Sequence, residues 1–491
     1  MRKYYWIIVF LYSIQIINAV EPIKREIRGV WLTTIYGLDW PHQPAKTEDT
    51  RIKQQQDVCE ILDRLQEANF NTVFLQVRMR GDVIWRSAIE PASKTFSGKY
   101  GLMPGYDPLA FVIEECHKRG LECHAWFVTF PLGTDKSVKE QGKLAVVKRH
   151  PKLCKRHNGE WYLDPGVPGT MDYILSLVKE LVNGYDIDGI HFDYIRYPEQ
   201  AKSFPDKIQY RKYGKKLSIA DWRRKNINEM MSCIYDWIKS VKPWVQVSSS
   251  PLGKYSRIER VPNAGWTAYE SVYQDPKVWL QEGKQDMIVP MMYYLHDNFF
   301  PFIDNWVENS NGRLVVPGLG AYRMLKEEAD WAITDITDQI DYSRYNNGAG
   351  CVFFRCTNVL ENTKGLYDEL KYNYYKYPAQ LPALPWLDNT VPTAPKEIKV
   401  ERCGNELRLF WQKPDSVKEV TYTVYYSLKD SIDIASAQNI LMTGIRDTSI
   451  YLPVDTTEER GYTFSISSSS RFHIESELSK ETYYYLSKYP K

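Results

Sequence analysis

Cysteine is scarce, with eight in 491 residues and no CxxC pair. That excludes a disulfide-built scaffold and the common zinc motifs, and makes single buried thiols the expected state. An excess of one charge is missing too, since 63 Lys plus Arg stand against 61 Asp plus Glu, a net of +2. With no basic tail or acidic block, nothing in the chain suits wrapping nucleic acid. Long hydrophobic runs are absent after the first twenty residues. At the start, Arg2 and Lys3 precede an apolar stretch, residues 4–17, that ends in Asn18-Ala19. It is too short to span a bilayer and has the charged head and small-residue end of an export signal, expected over residues 1–19. Also missing are HExxH, GxxxxGK[ST], GxSxG and a GxGxxG after the first strand, so zinc peptidases, P-loop enzymes, serine hydrolases and dinucleotide binding lack support. No metal or cofactor is expected.

What the chain has in quantity is aromatic surface. Thirty-six Tyr, 15 Trp and 17 Phe make 14% of the residues. Such rings pack cores, and they also stack on sugars. The length predicts two or three domains at roughly 100–200 residues each. Short apolar runs at 29–34, 72–77, 122–128, 189–195, 245–249, 287–293, 314–317 and 351–355 read as strands. Between them lie helical patterns. Val58, Ile61, Leu62 and Leu65 recur at i, i+3, i+4, i+7, as do Leu109, Val112, Ile113 and Cys116, and Ile174, Leu177, Val178 and Leu181. A longer helix is expected to bury Ile227, Met230, Met231, Ile234 and Trp237. Gly120 stands where a helix would close in the left-handed conformation. Eight alternations predict an α/β fold, a (β/α)8 TIM barrel over residues 26–377. Four prolines then punctuate a linker, 378–394, with Pro395 just after it. Period-2 runs such as Leu407-Arg408-Leu409-Phe410-Trp411 and Tyr422-Thr423-Val424-Tyr425-Tyr426 follow over 395–489. They predict an all-β immunoglobulin-like sandwich and resemble a fibronectin type III domain.

In such a barrel the chemistry sits at the carboxyl ends of the strands. The fourth strand runs Gly189-Ile190-His191-Phe192-Asp193-Tyr194-Ile195-Arg196. Alternation puts His191 and Asp193 on one face and Ile190, Phe192 and Tyr194 on the other. Asp193 is the expected catalytic carboxylate, and Arg196 either pairs with it or orients substrate. The second strand exits through Arg78, Arg80 and Asp82, which suit an anionic or hydroxyl-rich ligand or a structural brace. His124 and Trp126 lie two apart on the third strand, and Tyr293 ends the sixth. Trp31, Trp126 and Tyr293 are candidate stacking surfaces. Asp275-Pro276 reads as an N-cap followed by an N1 proline. Glycoside hydrolysis needs a second carboxyl group. Glu270 is the leading candidate, with Asp82, Asp275 and Asp39 as alternatives. The fourth strand also approaches the DGxDxDxE pattern of chitinases, but His191 and Ile195 occupy the second Asp and the Glu positions.

Several blocks resemble one family in order along residues 26–350. They are Arg28-Gly29-Val30-Trp31, Leu75-Gln76-Val77-Arg78 with Gly81-Asp82, Pro104-Gly105-Tyr106-Asp107-Pro108-Leu109, His124-Ala125-Trp126-Phe127, the tract from Tyr185 to Asp193, and Tyr273-Gln274-Asp275. Together they look like glycosyl hydrolase-like family 10. The resemblance implies an exported, periplasmic or extracellular, TIM-barrel glycosidase acting on cell-envelope glycan, with peptidoglycan strands the leading substrate. It favours Asp193 as catalytic and adds Asp82 and Asp275 to the rim. Tyr194 departs from the second Asp of many relatives, and Met291 from a Gln that often follows the proline of strand six.

The expected function is thus an exported glycoside hydrolase, with Asp193 as nucleophile or base and Glu270 as acid. His124, His191, Arg78, Arg80, Arg196, Asp82, Asp275 and the three aromatics would contact substrate. The alternative is a carbohydrate-binding or scaffolding protein on a barrel without catalysis. The C-terminal module offers a means of cell-envelope association.

Overall fold

The computed structural model describes residues 22–414, 419–429, 431–455, 457 and 459–487. The expected export signal lies outside the described residues, as do the last residues of the expected 395–489 module. Eight parallel strands follow one another as β1 (Ile27–Leu32), β2 (Thr72–Arg78), β3 (Glu122–Val128), β4 (Gly189–Asp193), β5 (Gln246–Ser249), β6 (Met287–Ile288), β7 (Leu314–Val315 and Gly318–Leu319) and β8 (Gly350–Phe353). Pro317 has no N–H to give and splits β7. The strand is nonetheless bonded on both sides. Val316 N donates to Ile288 O at 2.9 Å, and Ala349 N donates to Val315 O at 2.8 Å. β8 in turn pairs with β1, so the sheet closes into the expected barrel.

The principal helices between the strands are α1 (Glu48–Glu67), α2 (Pro108–Lys118), α3 (Pro168–Gly184), α4 (Ile219–Val241), α5 (Pro276–Gln281), α6 (Phe300–Glu308), α7 (Ile333–Tyr345) and α8 (Leu366–Glu369). Their starts are written locally. Asp107 accepts from Ala110 N ahead of an N1 proline on α2, and Ser218 accepts from Asp221 N on α4. The apolar stripes face inward as their spacing requires, with Leu109, Val112, Ile113 and Cys116 buried on α2. On α4 the expected core residues are buried, except that Trp237 packs at the edge, only partly covered. Each of the eight cysteines is a free thiol.

Among the described residues the chain after the linker folds into seven strands, β9 (Lys396–Cys403), β10 (Glu406–Gln412), β11 (Val420–Ser427), β12 (Ile440–Ile445), β13 (Ser449–Pro453), β14 (Arg460–Ser470) and β15 (Thr482–Leu486). They form two antiparallel sheets, β9-β10-β13 and β12-β11-β14-β15. Leu407, Leu409, Trp411, Val424 and Ile466 fill the space between them. This is the expected sandwich.

The sandwich sits against the amino-terminal pole of the barrel, at the opposite end from the strand exits. Gly120, with φ of +69°, closes α2, and its backbone also lies against Gly444 of β12. A Cβ there would come within 2.6 Å of Thr443 O, so two constraints exclude a side chain. Arg446 and Arg471 reach from the sandwich to Asp186 and Asp188, just before β4. Trp386 of the linker donates to Asp286 at 3.0 Å.

A further tie is His473. Its Nδ1 faces the Pro382 carbonyl at 2.9 Å and its Nε2 faces Glu122 Oε1 at 2.7 Å. Both partners only accept, so both ring nitrogens carry hydrogen and the ring is a cation. Burial works against that charge, but the Glu122 carboxylate outweighs it, with Asp188 adding to the attraction, and the pKa stands above the ordinary 6.5. A raised folded pKa gives stability that is complete below about 6.5 and is lost as pH rises through the folded value. The thermal midpoint of the full chain is therefore expected to fall as pH rises from about 6 to about 9, with the slope flattened in His473→Gln. Calorimetry across that range checks it.

Candidate active site

At the carboxyl ends of the strands a cleft of about 370 Å³ opens, and Asp193 lies in its floor. Alternation carries His191 and Asp193 of β4 inward, as expected, while Ile190 and Phe192 join the core under the helices. Tyr194 departs from that alternation. Its φ of +50° ends the strand and turns the ring to the cleft instead of the outer face.

Three donors hold the Asp193 carboxyl. Trp126 Nε1 donates to Oδ2 at 3.1 Å, while the Tyr194 N–H at 2.8 Å and Ser250 Oγ at 3.0 Å donate to Oδ1. Burial raises the pKa above the ordinary carboxylate value. Arg196 and the three donors oppose that shift without cancelling it. The bonds also leave Oδ2 with an acceptor site unused, on the atom bonded only to Trp126. One layer lower, Trp31 Nε1 donates to His191 Nε2 at 3.2 Å, which fixes the tautomer. His191 Nδ1–H then donates to Ser248 Oγ at 2.9 Å. Burial, and secondarily His124, holds the His191 pKa well below its usual value. His191 is thus a neutral brace beneath the floor rather than a substrate contact.

Aromatic rings form the rest of the cup. Trp31, Trp126, Tyr293 and Phe354 line it, and Tyr293 lies stacked on Phe354 at 5.7 Å. Trp31 and Trp126 are 2% and 5% exposed, so each shows the cleft an edge rather than the open face expected of a stacking platform. Tyr36 and Tyr194, 73% and 38% exposed, supply the rings accessible at the rim.

Several expected contacts lie elsewhere. Arg78 is fully buried, forms a two-pronged pair with Glu90 at 2.8 and 2.7 Å, and donates to the Val128 and Thr129 carbonyls. It braces the barrel wall and does not face substrate. Asp82 is buried in the turn after β2, where it accepts from Arg80 N at 3.1 Å. His124 lies near the opposite pole, with Nε2 on Glu122 at 3.0 Å, because it sits at the start of β3 rather than at its exit. Asp275 occupies the N-cap position of α5 without capping, since its carboxylate accepts the Tyr255 hydroxyl at 2.8 Å. Glu270 is exposed on a single helical turn and accepts from Thr267 Oγ1, a local bond that keeps it out of the cleft. Asp39 is consumed by Thr33, Thr357 and Arg355. Arg196 makes no ion pair with Asp193; its guanidinium lies over the rings of Tyr194 and Trp266, at 4.7 and 5.4 Å. Arg80 alone of the two β2-exit arginines lines the cleft.

Ser250 went unnamed from the sequence, although the polar run Ser248-Ser249-Ser250 ends a strand where the same rule would have pointed. Among the described residues, Asp193 is the one carboxylate lining the cleft.

A closed parallel barrel with a desolvated, hydrogen-bonded carboxyl group in an aromatic cup at its strand exits defines a barrel hydrolase of the glycosidase class. The sequence model of the family described as Glycosyl hydrolase-like 10 matches residues 26–309. The chain belongs to that family and is a glycoside hydrolase. It is 32% identical over 485 residues to the glycosyl hydrolase YngK of Bacillus subtilis (strain 168), covering 93% of each chain. It is also 35% identical over 345 residues to the glycosyl hydrolase DigH of Escherichia coli (strain K12), covering 64% of this chain and 78% of that one.

Proposed function

We propose that the chain cleaves glycosidic bonds within an extracytoplasmic polysaccharide, peptidoglycan glycan strands being the leading substrate, and that Asp193 is the proton donor. The observation that carries this reading is the Asp193 carboxyl itself, buried to favour its protonated form yet open to the cleft. That differs from the nucleophile or base expected of Asp193 from the sequence. Burial disfavours the ionised form, which is the state a base must hold, and favours the acid. Protonated on Oδ2, the group still accepts from Trp126 and directs its hydrogen at the glycosidic oxygen. Tyr36 and Tyr194 stack on sugar rings at the rim. The substrate class and the export it requires rest on the family resemblance and on the Arg2-Lys3 head with its apolar stretch. Among the described residues no helix is long and apolar enough to cross a membrane.

The test is release of reducing ends from denuded peptidoglycan strands, mucin and plant glycans by the full chain, with products identified by mass. Cleavage of the peptidoglycan strands is expected. Cleavage of mucin or plant glycan alone would refute that substrate, and no cleavage of any would refute the reading.

A further inference from the structure

Among the described residues, Arg80 is the one cationic side chain lining the cleft. Its backbone is pinned on both sides. The N–H donates to Asp82 Oδ1 at 3.1 Å, and the carbonyl accepts from Gln141 Nε2 at 3.3 Å. Between β3 and α3 the chain inserts a small antiparallel sheet of three strands, Pro131–Thr134, Cys154–His157 and Glu160–Leu163. Glu160 of that sheet accepts from Arg80 Nη1 at 2.6 Å, and the Tyr162 hydroxyl donates to the other Glu160 oxygen at 2.7 Å. That pair engages one corner of the guanidinium. No acceptor among the described residues meets Nε or Nη2, and 31% of the side chain is exposed, so the fork stays open along that edge.

We propose that Arg80 binds a carboxylate carried by the glycan, which makes the substrate a polysaccharide with acidic substituents, and that Glu160 and Tyr162 position Arg80 for it. The Nε–Nη2 edge donates two parallel hydrogen bonds, a pattern that a carboxylate accepts with both oxygens and a single sugar hydroxyl cannot match. Because the guanidinium is already held, little freedom is lost when the ligand arrives. Charge favours the same ligand. Burial opposes the charge of Arg80, but Glu160 outweighs it, with Tyr36 and Tyr194 adding, and keeps the guanidinium in its charged form. In the acid form that its proposed role requires, Asp193 is neutral, so the charge lining the cleft is that of Arg80. Tyr36 and Tyr194, the rings accessible to sugars, line the same cleft. Arg78 and Arg196 offer no such edge. Arg78 is closed on Glu90, and Arg196 is 4% exposed against the rings of Tyr194 and Trp266.

In peptidoglycan strands the carboxylate is the lactyl ether on every second sugar. The inference therefore deepens the proposed function and rests on it, and the experiment separates the two. The full-length chain is assayed on denuded peptidoglycan strands and on the same strands with their carboxyl groups reduced to alcohols. Arg80→Gln and Arg80→Lys are assayed alongside, with melting curves to confirm folding. Reduction is expected to raise the wild-type KM roughly ten- to a hundredfold with kcat little changed, as loss of a charge-assisted contact should. Arg80→Gln should show that raised KM on native strands and no longer distinguish the two substrates. Arg80→Lys keeps the charge without the fork and should fall between. Equal wild-type KM on native and reduced strands would mean that no carboxylate is read, and the inference falls while the glycosidase reading stands. If folded Arg80→Gln discriminates as strongly as the wild type, the carboxylate is read elsewhere and the assignment of Arg80 falls. Should Arg80→Gln not fold, Arg80→Lys that matches the wild type on both substrates overturns the assignment equally. Native strands left uncleaved would overturn the underlying reading and this inference with it.

Discussion

Replacing Asp193 with Asn is expected to reduce turnover on a cleaved glycan by roughly a thousandfold, in the middle of what a positioned proton donor supplies. The amide has no proton acidic enough to give to a leaving oxygen, while its size leaves the aromatic cup unchanged. Retention of the glycan by the variant should therefore persist, and the loss should fall on kcat. The wild-type pH profile has a direction fixed by the same burial. An acid whose pKa is raised is active below that value, and the rate declines as pH rises through it, later than for an ordinary carboxylate. That basic limb should vanish in the variant. A stability cost accompanies the change. The carboxyl group accepts from Trp126, the Tyr194 N–H and Ser250, but an amide has one accepting atom and turns its NH2 toward at least one of these donors. One orphaned buried donor costs about 1–3 kcal/mol, which a melting curve registers without obscuring the kinetic result. A variant that remains folded and fully active would end the acid assignment.

The second large effect concerns stability alone. Arg78→Ala is expected to destabilise the barrel by about 3–5 kcal/mol, because it strands the Glu90 carboxylate where neither partner has any exposure. The Val128 and Thr129 carbonyls lose their guanidinium donor in the same change. Tyr173 is left as the remaining side-chain donor to Glu90, at 2.8 Å. Replacing both partners, Arg78→Leu with Glu90→Leu, removes the unpaired charge and should recover much of the loss. Denaturant titration of the single and double variants measures this. The sequence also offered Arg78 as a substrate contact, and that reading requires a raised KM in the folded fraction. The structure predicts an unchanged KM and a lower midpoint.

The contrast between Arg78 and Arg80 shows where linear reading stops. Both stand at the exit of β2, two residues apart and therefore on the same side of an ideal strand. The chain leaves the strand at Arg78, whose partners Glu90 and Thr129 come from other loops. Arg80, already in the turn, points to the cleft and to Glu160. Nothing in the local spacing distinguishes them. Glu270 and Glu160 repeat the lesson for acids. Glu270, the leading candidate from the sequence for the second carboxyl group, bonds instead to Thr267 three residues away. Glu160 sits in an insertion with no periodic signal to place it, and its pairing with Arg80 follows from the inserted antiparallel sheet.

Periodicity, turn chemistry and strand-end logic determined from the sequence alone that this is an eight-stranded barrel followed by an antiparallel sandwich, and that His191 and Asp193 share one face of β4. Those features depend on residues close together in the chain, where hydrophobic spacing and backbone preference act directly. Tertiary structure decided which side chains share the cleft, which bury their charges against distant partners, and that the sandwich is tied to the closed pole. The physical reason is that the field and solvation of a polar group are set by whatever the fold packs around it, and for Asp193 those neighbours come from β3 and the exit of β5 as much as from its own strand.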